Sequence, residues 1–149
     1  MPYELRAVRS AEDWRHLHEI RRSVLFTPER HADVEYDENH PDDRAEGNIP
    51  LLLLFESRPV GVVRLDVRGE AAIVRLVAVI ASERGRGHGR ILGALVEEEA
   101  RRRGARTLFV NAAPDAVGYY EKVGWRRFDW NTSELQGIAQ DCVQLRKDL

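Results

Sequence analysis

Beyond Ser10 the apolar residues Trp14, Leu17, Ile20 and Val24 recur at spacings of three and four, the signature of one helix face. Ser10 with Asp13 three residues later marks the helix start, because a side-chain oxygen there accepts from an N–H that the first turn leaves unpaired. The pattern then breaks. Residues 27–48 are polar, contain two prolines, and from residue 33 on carry Asp33, Glu35, Asp37, Glu38, Asp42, Asp43 and Glu46, with Arg30 and Arg44 as the basic residues. They predict a long acidic loop, or a loop with a short helix, at the surface. Three apolar runs follow, "LLLLFE", "VGVVRLDV" and "AAIVRLVAVI", separated by the turn-sized "SRP" and "RGE". An antiparallel meander is the natural reading.

From Ile91 the period becomes helical again, with Ile91, Leu92, Leu95, Val96 and Ala100 on one face and Gly104 as the stop. "TLFVNAA" reads as a strand, "PDAVGYYEKV" as a short helix ended by Gly124, and "WRRFDW" and "DCVQLRKDL" as two late strands. With a strand before the first helix, the order is β-α-β-β-β-α-β-α-β-β. That order predicts an α/β protein of mixed sheet with helices on its faces, in one domain over residues 1–149.

Composition narrows the class. The chain has 149 residues, 43% hydrophobic and 32% charged, with a net charge of −2, which is neither a disordered composition nor that of a basic nucleic-acid binder. The single cysteine, Cys142, has no internal partner, and "MPYELRAVRSAED" lacks the apolar core of a signal peptide, so a cytoplasmic location is expected. The longest apolar run, "IPLLLLF", is too short to span a bilayer.

The distinctive chemistry lies between Arg84 and Arg90, where three glycines and three arginines alternate around His88 just before the second long helix. A helix N-terminus offers unpaired N–H groups and partial positive charge, and glycines let backbone approach an anion closely, so the pattern predicts a phosphate cradle. Its nucleotide types can be narrowed. Counting G-x-G-x-x-G from Gly85 ends on Arg90 and from Gly87 on Leu92, no acidic residue follows on the next strand to hold a ribose, and no Walker Lys-Ser/Thr pair occurs. A glycine-rich turn with solvated arginines is the plain alternative. The run also has the look of an RNA-binding glycine-arginine tract, but it is short, leads into a helix and sits in a net acidic chain.

"RGRGHG", Arg84 to Gly89, after "RLVAVIASE" and before an amphipathic helix, matches the [QR]-x-x-G-x-[GA] motif of the GNAT-superfamily N-acetyltransferases. "AVGYYEKVGWRRF", Ala116 to Phe128, is similar to a second segment of that family, A-x-x-x-Y-E-K-x-G-F, at the expected distance. "IRRSVLF", "EYDENHPDD" and "PVGVVRLDV" look more distantly like one bacterial branch. The resemblance implies a mostly antiparallel twisted sheet with one splayed strand pair. It implies acetyl-CoA as co-substrate, its pyrophosphate on the backbone of Gly85, Arg86, Gly87, His88, Gly89 and Arg90, with Arg84, Arg86 and Arg90 supplying charge. The pantetheine arm would run along Val77, Ala78 and Val79, which are otherwise plain strand residues.

Acyl transfer from a thioester to an amine requires a neutral amine, a donor to the oxyanion and a proton for the departing thiolate. By the resemblance Tyr120 supplies that proton, with Tyr119 its neighbouring rival, and the Val79 N–H meets the oxyanion. Many relatives carry a glutamate on the strand before the second motif. Here "TLFVNAA" offers only Asn111, which could orient the cofactor amide, a water or the substrate. Asp66, Glu35 and Asp37 are the remaining candidate bases, Glu35 and Asp37 also as acceptor-binding residues. The acidic segment favours a cationic amine if it lines the cleft, and is solvated surface otherwise.

His16 and His18 point to different helix faces, and His31 and His40 among acids form only a weak metal motif, so no metal is expected. The expected activity is N-acetyl transfer to a primary amine of a small molecule or peptide, without nucleic-acid or membrane partners and with a homodimer left open. The rivals are an acyl-CoA-binding module without turnover and an enzyme using another acyl-CoA.

Overall fold

The Ser10 Oγ accepts from the Asp13 N–H at 3.0 Å and caps helix α1, Ala11–Val24. The structure, a computed structural model, describes residues 2–27 and 35–149; Asp33 and His31 lie outside them. Strand β1 is Tyr3–Ala7, and after α1 the acidic segment contributes a short 3-10 turn, Pro41–Arg44. The meander follows as β2 (Asn48–Phe55), β3 (Arg58–Arg68) and β4 (Ala71–Val79), each antiparallel to the last. Helix α2 (His88–Arg102), β5 (Thr107–Ala112), helix α3 (Val117–Lys122), β6 (Arg126–Arg127) and β7 (Val143–Asp148) complete the order.

These strands make one sheet ordered β1-β2-β3-β4-β5-β7-β6, in which β4 and β5 are the parallel pair. Helices cover both faces. In β2, Leu51 and Leu53 pack with Leu92 and Val96 of α2, while Leu52 and Leu54 pack with Leu17 and Ile20 of α1. A strand buried on both sides needs this continuous apolar run in place of alternation. None of the helices among the described residues is long and apolar enough to cross a membrane.

The reading of "WRRFDW" as a full strand is corrected, since only Arg126–Arg127 pair with β7. Trp125 is instead buried against Tyr120, with ring centroids 5.4 Å apart, and Trp130 turns to donate its indole N–H to the Val110 carbonyl at 3.1 Å. Each aromatic finds better burial or a better hydrogen bond away from the edge ladder.

Two irregularities of β4 shape the centre of the sheet. Between the pairs Arg64↔Arg75 and Val62↔Ala78, β4 has Leu76 and Val77 opposite the single Val63, a β-bulge in which Leu76 takes φ +54°. The bulge reverses the alternation: Ala72 and Val74 face α2 before it, Val77 and Val79 after it, and Ala78 faces α1. The pairing of β4 with β5 also ends at Val74↔Val110, although both strands continue. Beyond that point the strands splay.

Candidate functional site

The splay opens onto an apolar cavity of about 170 Å³ on the α2 face. Val74 and Val77 form its β4 wall, Gly89, Arg90 and Gly93 its α2 wall, and Tyr119, Tyr120 and Val123 the side from α3. Its mouth is the start of α2. Gly87 is the N-cap, in the left-handed region at φ +85°, a conformation that costs any residue with a Cβ about 1–2 kcal/mol. The Ile91 N–H is the first to bond back, to the Gly87 carbonyl at 3.1 Å, so the N–H groups of His88, Gly89 and Arg90 have no carbonyl behind them. A Cβ on Gly85, Gly87 or Gly89 would meet nothing within 4 Å, so the loop backbone is open to a ligand. Polar N–H groups over an apolar throat suit a ligand with an anionic head and a neutral chain.

The side chains of the loop divide. Arg84, Arg86 and Arg90 are exposed; Arg86 is drawn to Glu83 at 3.1 Å, whereas Arg84 and Arg90 make no ion pair among the described residues. Glu83 is buried and also accepts from Arg58 Nη1 at 2.7 Å, which holds its carboxyl below the ordinary range. The His88 ring turns inward, 2% exposed, sharing a hydrogen bond with the Tyr3 hydroxyl and packing beside Phe55, which leaves its backbone N–H, the group expected to meet the ligand, at the helix start. Only its main chain reaches the mouth. Glu83 and His88 thus fix the two ends of the glycine loop to the sheet.

Tyr120 lies deep in the cavity wall, edge-on to Tyr119 and Trp125 at 5.8 and 5.4 Å between ring centroids. Burial, with a smaller contribution from Tyr119, pushes its phenol up to about 12. It therefore remains protonated throughout the neutral range. Tyr119 is the more exposed ring, 44%, and sits at the rim.

The opposite face of the splay is polar. Asn111 Nδ2 donates to Glu134 Oε1 at 2.9 Å and its Oδ1 accepts from Gln144 Nε2 at 2.9 Å. Asp66, a candidate base, is 2% exposed and so shut off from solvent, with Arg64 Nε and Nη2 donating to its two oxygens at 2.8 and 3.1 Å, and Arg75 Nε at 2.8 Å. A carboxylate so enclosed by guanidinium donors is a structural counter-ion. Glu35 and Asp37 are exposed, Asp37 accepting from the Asn39 N–H at 2.8 Å, and among the described residues neither contacts the splay. Asp43 of the same segment is buried between Arg21, at 2.8 Å, and Arg64, at 3.3 Å, and Glu38 pairs with Arg22. The segment's charge is therefore partly neutralised from within. His40 Nδ1 accepts from the Asp42 N–H, and the described residues contain no cluster of three metal-ligating side chains.

Residues 12–125 match the model of the acetyltransferase (GNAT) family. The chain belongs to that family. The chain is 28% identical over 113 residues to the uncharacterized protein YyaT of Bacillus subtilis, covering 74% of this chain and 76% of the relative. Two solved structures share its fold. An acyl-CoA N-acyltransferase from Pseudomonas aeruginosa superposes with a TM-score of 0.78 at 15% identity over 97% of each chain. The PaiA N-acetyltransferase of Thermoplasma acidophilum, in complex with coenzyme A, superposes with a TM-score of 0.72 at 15% identity over the whole of both chains.

Within this GNAT chain the sequence reading missed Tyr3 and Glu83, which hold the loop, the Leu76 bulge that turns Val77 toward the cavity, and Glu134. Each depends on contacts between distant segments, such as Tyr3 with His88 across 85 positions or Arg75 with Glu134 across 59, and no local spacing announces them.

Proposed function

We propose that this protein transfers an acetyl group from acetyl-CoA to a primary amine of a small molecule or peptide, both substrates being bound together. The observation that carries this reading is the splay of β4 and β5, open on one face to an apolar cavity with a helix N-terminus at its mouth and bearing on the other the polar side chains of Arg75, Asn111 and Glu134. The residues fit acetyl-CoA: N–H groups of His88 to Arg90 for the pyrophosphate, Arg84 and Arg90 for further phosphate charge, and Val74, Val77 and Val123 against the pantetheine arm. Acetyl-CoA supplies the activated acyl carbon. The backbone of Val77, Ala78 and Val79 lies beyond the last β5 pairing, so its strand edge is available for hydrogen bonds to the arm, with the Val79 N–H toward the oxyanion.

Tyr120 then serves as proton donor to the thiolate. A phenol near 12 is a weak acid for a thiol of ordinary pKa about 8.5, a mismatch of about 5 kcal/mol, so Tyr120 acts through placement and through loss of the thiolate's solvation. The reading is tested by release of free thiol from acetyl-CoA against a panel of 1,4-diaminobutane, glucosamine, L-lysine and glycinamide, with acetylated product confirmed by mass. Acetyl-CoA binding without amine-dependent thiol release would make the protein a binding module. Faster turnover of a longer acyl-CoA would reassign the donor.

A further inference from the structure

Strands β4 and β5 part immediately after Val74↔Val110, and the first residues past that point are Arg75 and Asn111. Both turn away from the α2 core and converge on one carboxylate. Arg75 Nη1 and Nη2 donate to the two oxygens of Glu134 at 2.9 Å each, and Asn111 Nδ2 donates to its Oε1 at 2.9 Å. Glu134 ends the short turn Thr132–Glu134, so a late segment sets a carboxylate across the root of the splay.

Behind Arg75 the charges alternate through the protein: Arg75 to Asp66, Asp66 to Arg64, Arg64 to Asp43, and Asp43 to Arg21. The side chains of Arg21, Asp43, Arg64 and Asp66 are at most 8% exposed, whereas those of Arg75 and Glu134 are 26% and 23% exposed. The three cations and three anions balance, so this network is neutral, and it reaches solvent at the splay. A carboxylate has about four acceptor sites, of which three are occupied here, leaving Glu134 one direction for a further donor.

We propose that Glu134 is an acceptor-binding residue: its carboxylate receives one N–H donor of the incoming amino group at the splay root, on the face opposite Tyr120. The assignment rests on the acetyltransferase reading and adds the residue that holds the second substrate. Arg75 and Asn111 act as positioning residues that fix the carboxylate's orientation. Hydrogen bonds from Arg75 first, and from Asn111, outweigh its partial burial and hold the Glu134 carboxyl below the ordinary range. Glu134 thus binds the amine without becoming its resting proton acceptor. The ammonium proton passes to water, the neutral nitrogen forms the new C–N bond as the C–S bond breaks, and the thiolate takes the Tyr120 proton. The proton lost by the new amide nitrogen restores Tyr120 through solvent, so each turnover of an ammonium releases one proton.

The test compares wild type with Glu134→Gln, close in shape, and Glu134→Asp, using whichever panel amine is turned over fastest. Glu134→Gln should raise the amine KM at least ten-fold, leave the acetyl-CoA KM within two-fold, and be partly rescued by Glu134→Asp at equal melting temperature. An unchanged amine KM, or equal rises in both KM values with a lowered melting temperature, overturns the assignment and leaves Glu134 a counter-ion. If wild type acetylates no panel amine, the acetyltransferase reading fails separately. Calorimetric titration of 1,4-diaminobutane into CoA-saturated protein then decides Glu134: at least ten-fold weaker binding by Glu134→Gln supports it, and equal or absent binding in both proteins overturns it.

Discussion

The Tyr3 hydroxyl and the His88 Nδ1 share a hydrogen bond of 2.7 Å that joins the first strand of the sheet to the first residue of α2. The His88 Nε2 has no hydrogen-bond partner, the nearest carboxylate oxygen being Glu83 Oε1 at 3.8 Å, so the Tyr3 contact is the ring's anchor. Tyr3→Phe should leave a buried imidazole without that bond and cost about 1–3 kcal/mol, lowering Tm by roughly 2–10 °C. Thermal unfolding measures this. Because the His88 ring faces the core, the acetyl-CoA KM should change by less than the loss of a direct contact would give, under about five-fold.

Gly87 and Gly89 should respond differently to substitution. Gly87→Ala forces a Cβ into the left-handed region and should cost about 1–2 kcal/mol in urea unfolding. Gly89 is helical with open space around it and lines the cavity, so Gly89→Val should leave Tm nearly unchanged while a branched side chain blocks the mouth. The expected result is an acetyl-CoA Kd raised at least ten-fold by calorimetry. An unchanged Kd would remove the cradle from this loop.

Tyr120→Phe deletes only the phenolic oxygen. If that group donates the proton, kcat should fall by about ten- to ten-thousand-fold with the acetyl-CoA KM preserved. Since burial keeps the phenol protonated up to about 12, the wild-type rate should show no descending limb from Tyr120 between pH 7 and 10. Its rise with pH should follow the pKa of the amine used, because the carboxylates at the splay root are occupied by arginines. An equal kcat in the phenylalanine variant would return Tyr120 to packing.

Asp43 is enclosed by Arg21 and Arg64, and although burial opposes its ionisation, their hydrogen bonds and charge hold its pKa below the ordinary value. Glu134 and Asp13 are lowered likewise, Glu134 by Arg75 and Asp13 by Arg6. A lowered native pKa contributes stability above the unfolded pKa and loses it as pH falls through the native one. Urea unfolding should therefore be nearly level from pH 8 to about 5 and weaken below about 4. Asp43→Asn, which leaves the buried Arg21 guanidinium without its carboxylate and the network one negative charge short, should cost about 3–5 kcal/mol at pH 7. The gap to wild type should narrow as pH falls below the unfolded pKa of aspartate, because the stabilisation from a lowered native pKa is lost in that direction.

The order of strands and helices, the Ser10 cap, the meander and the glycine-rich loop ahead of α2 were legible along the chain, because each is written in neighbours. Period, capping oxygen and missing Cβ act within a few residues of themselves. The family, too, followed from two local motifs, Arg84 to Gly89 and Ala116 to Phe128. Tertiary structure decided the rest. The bulge at Leu76 forms where β4 still pairs with β3 but has left β5, and it turns Val77 toward the cavity. Burial among residues from four elements, not the tyrosine itself, sets the acidity of Tyr120. Strand β5 carries only Asn111 where a carboxylate was sought, and a segment 23 residues further on brings Glu134 beside it. Local rules set which elements form; only their packing sets which side chains meet, since the partners of Arg75, Asn111 and His88 are distant in the chain and near only in the fold.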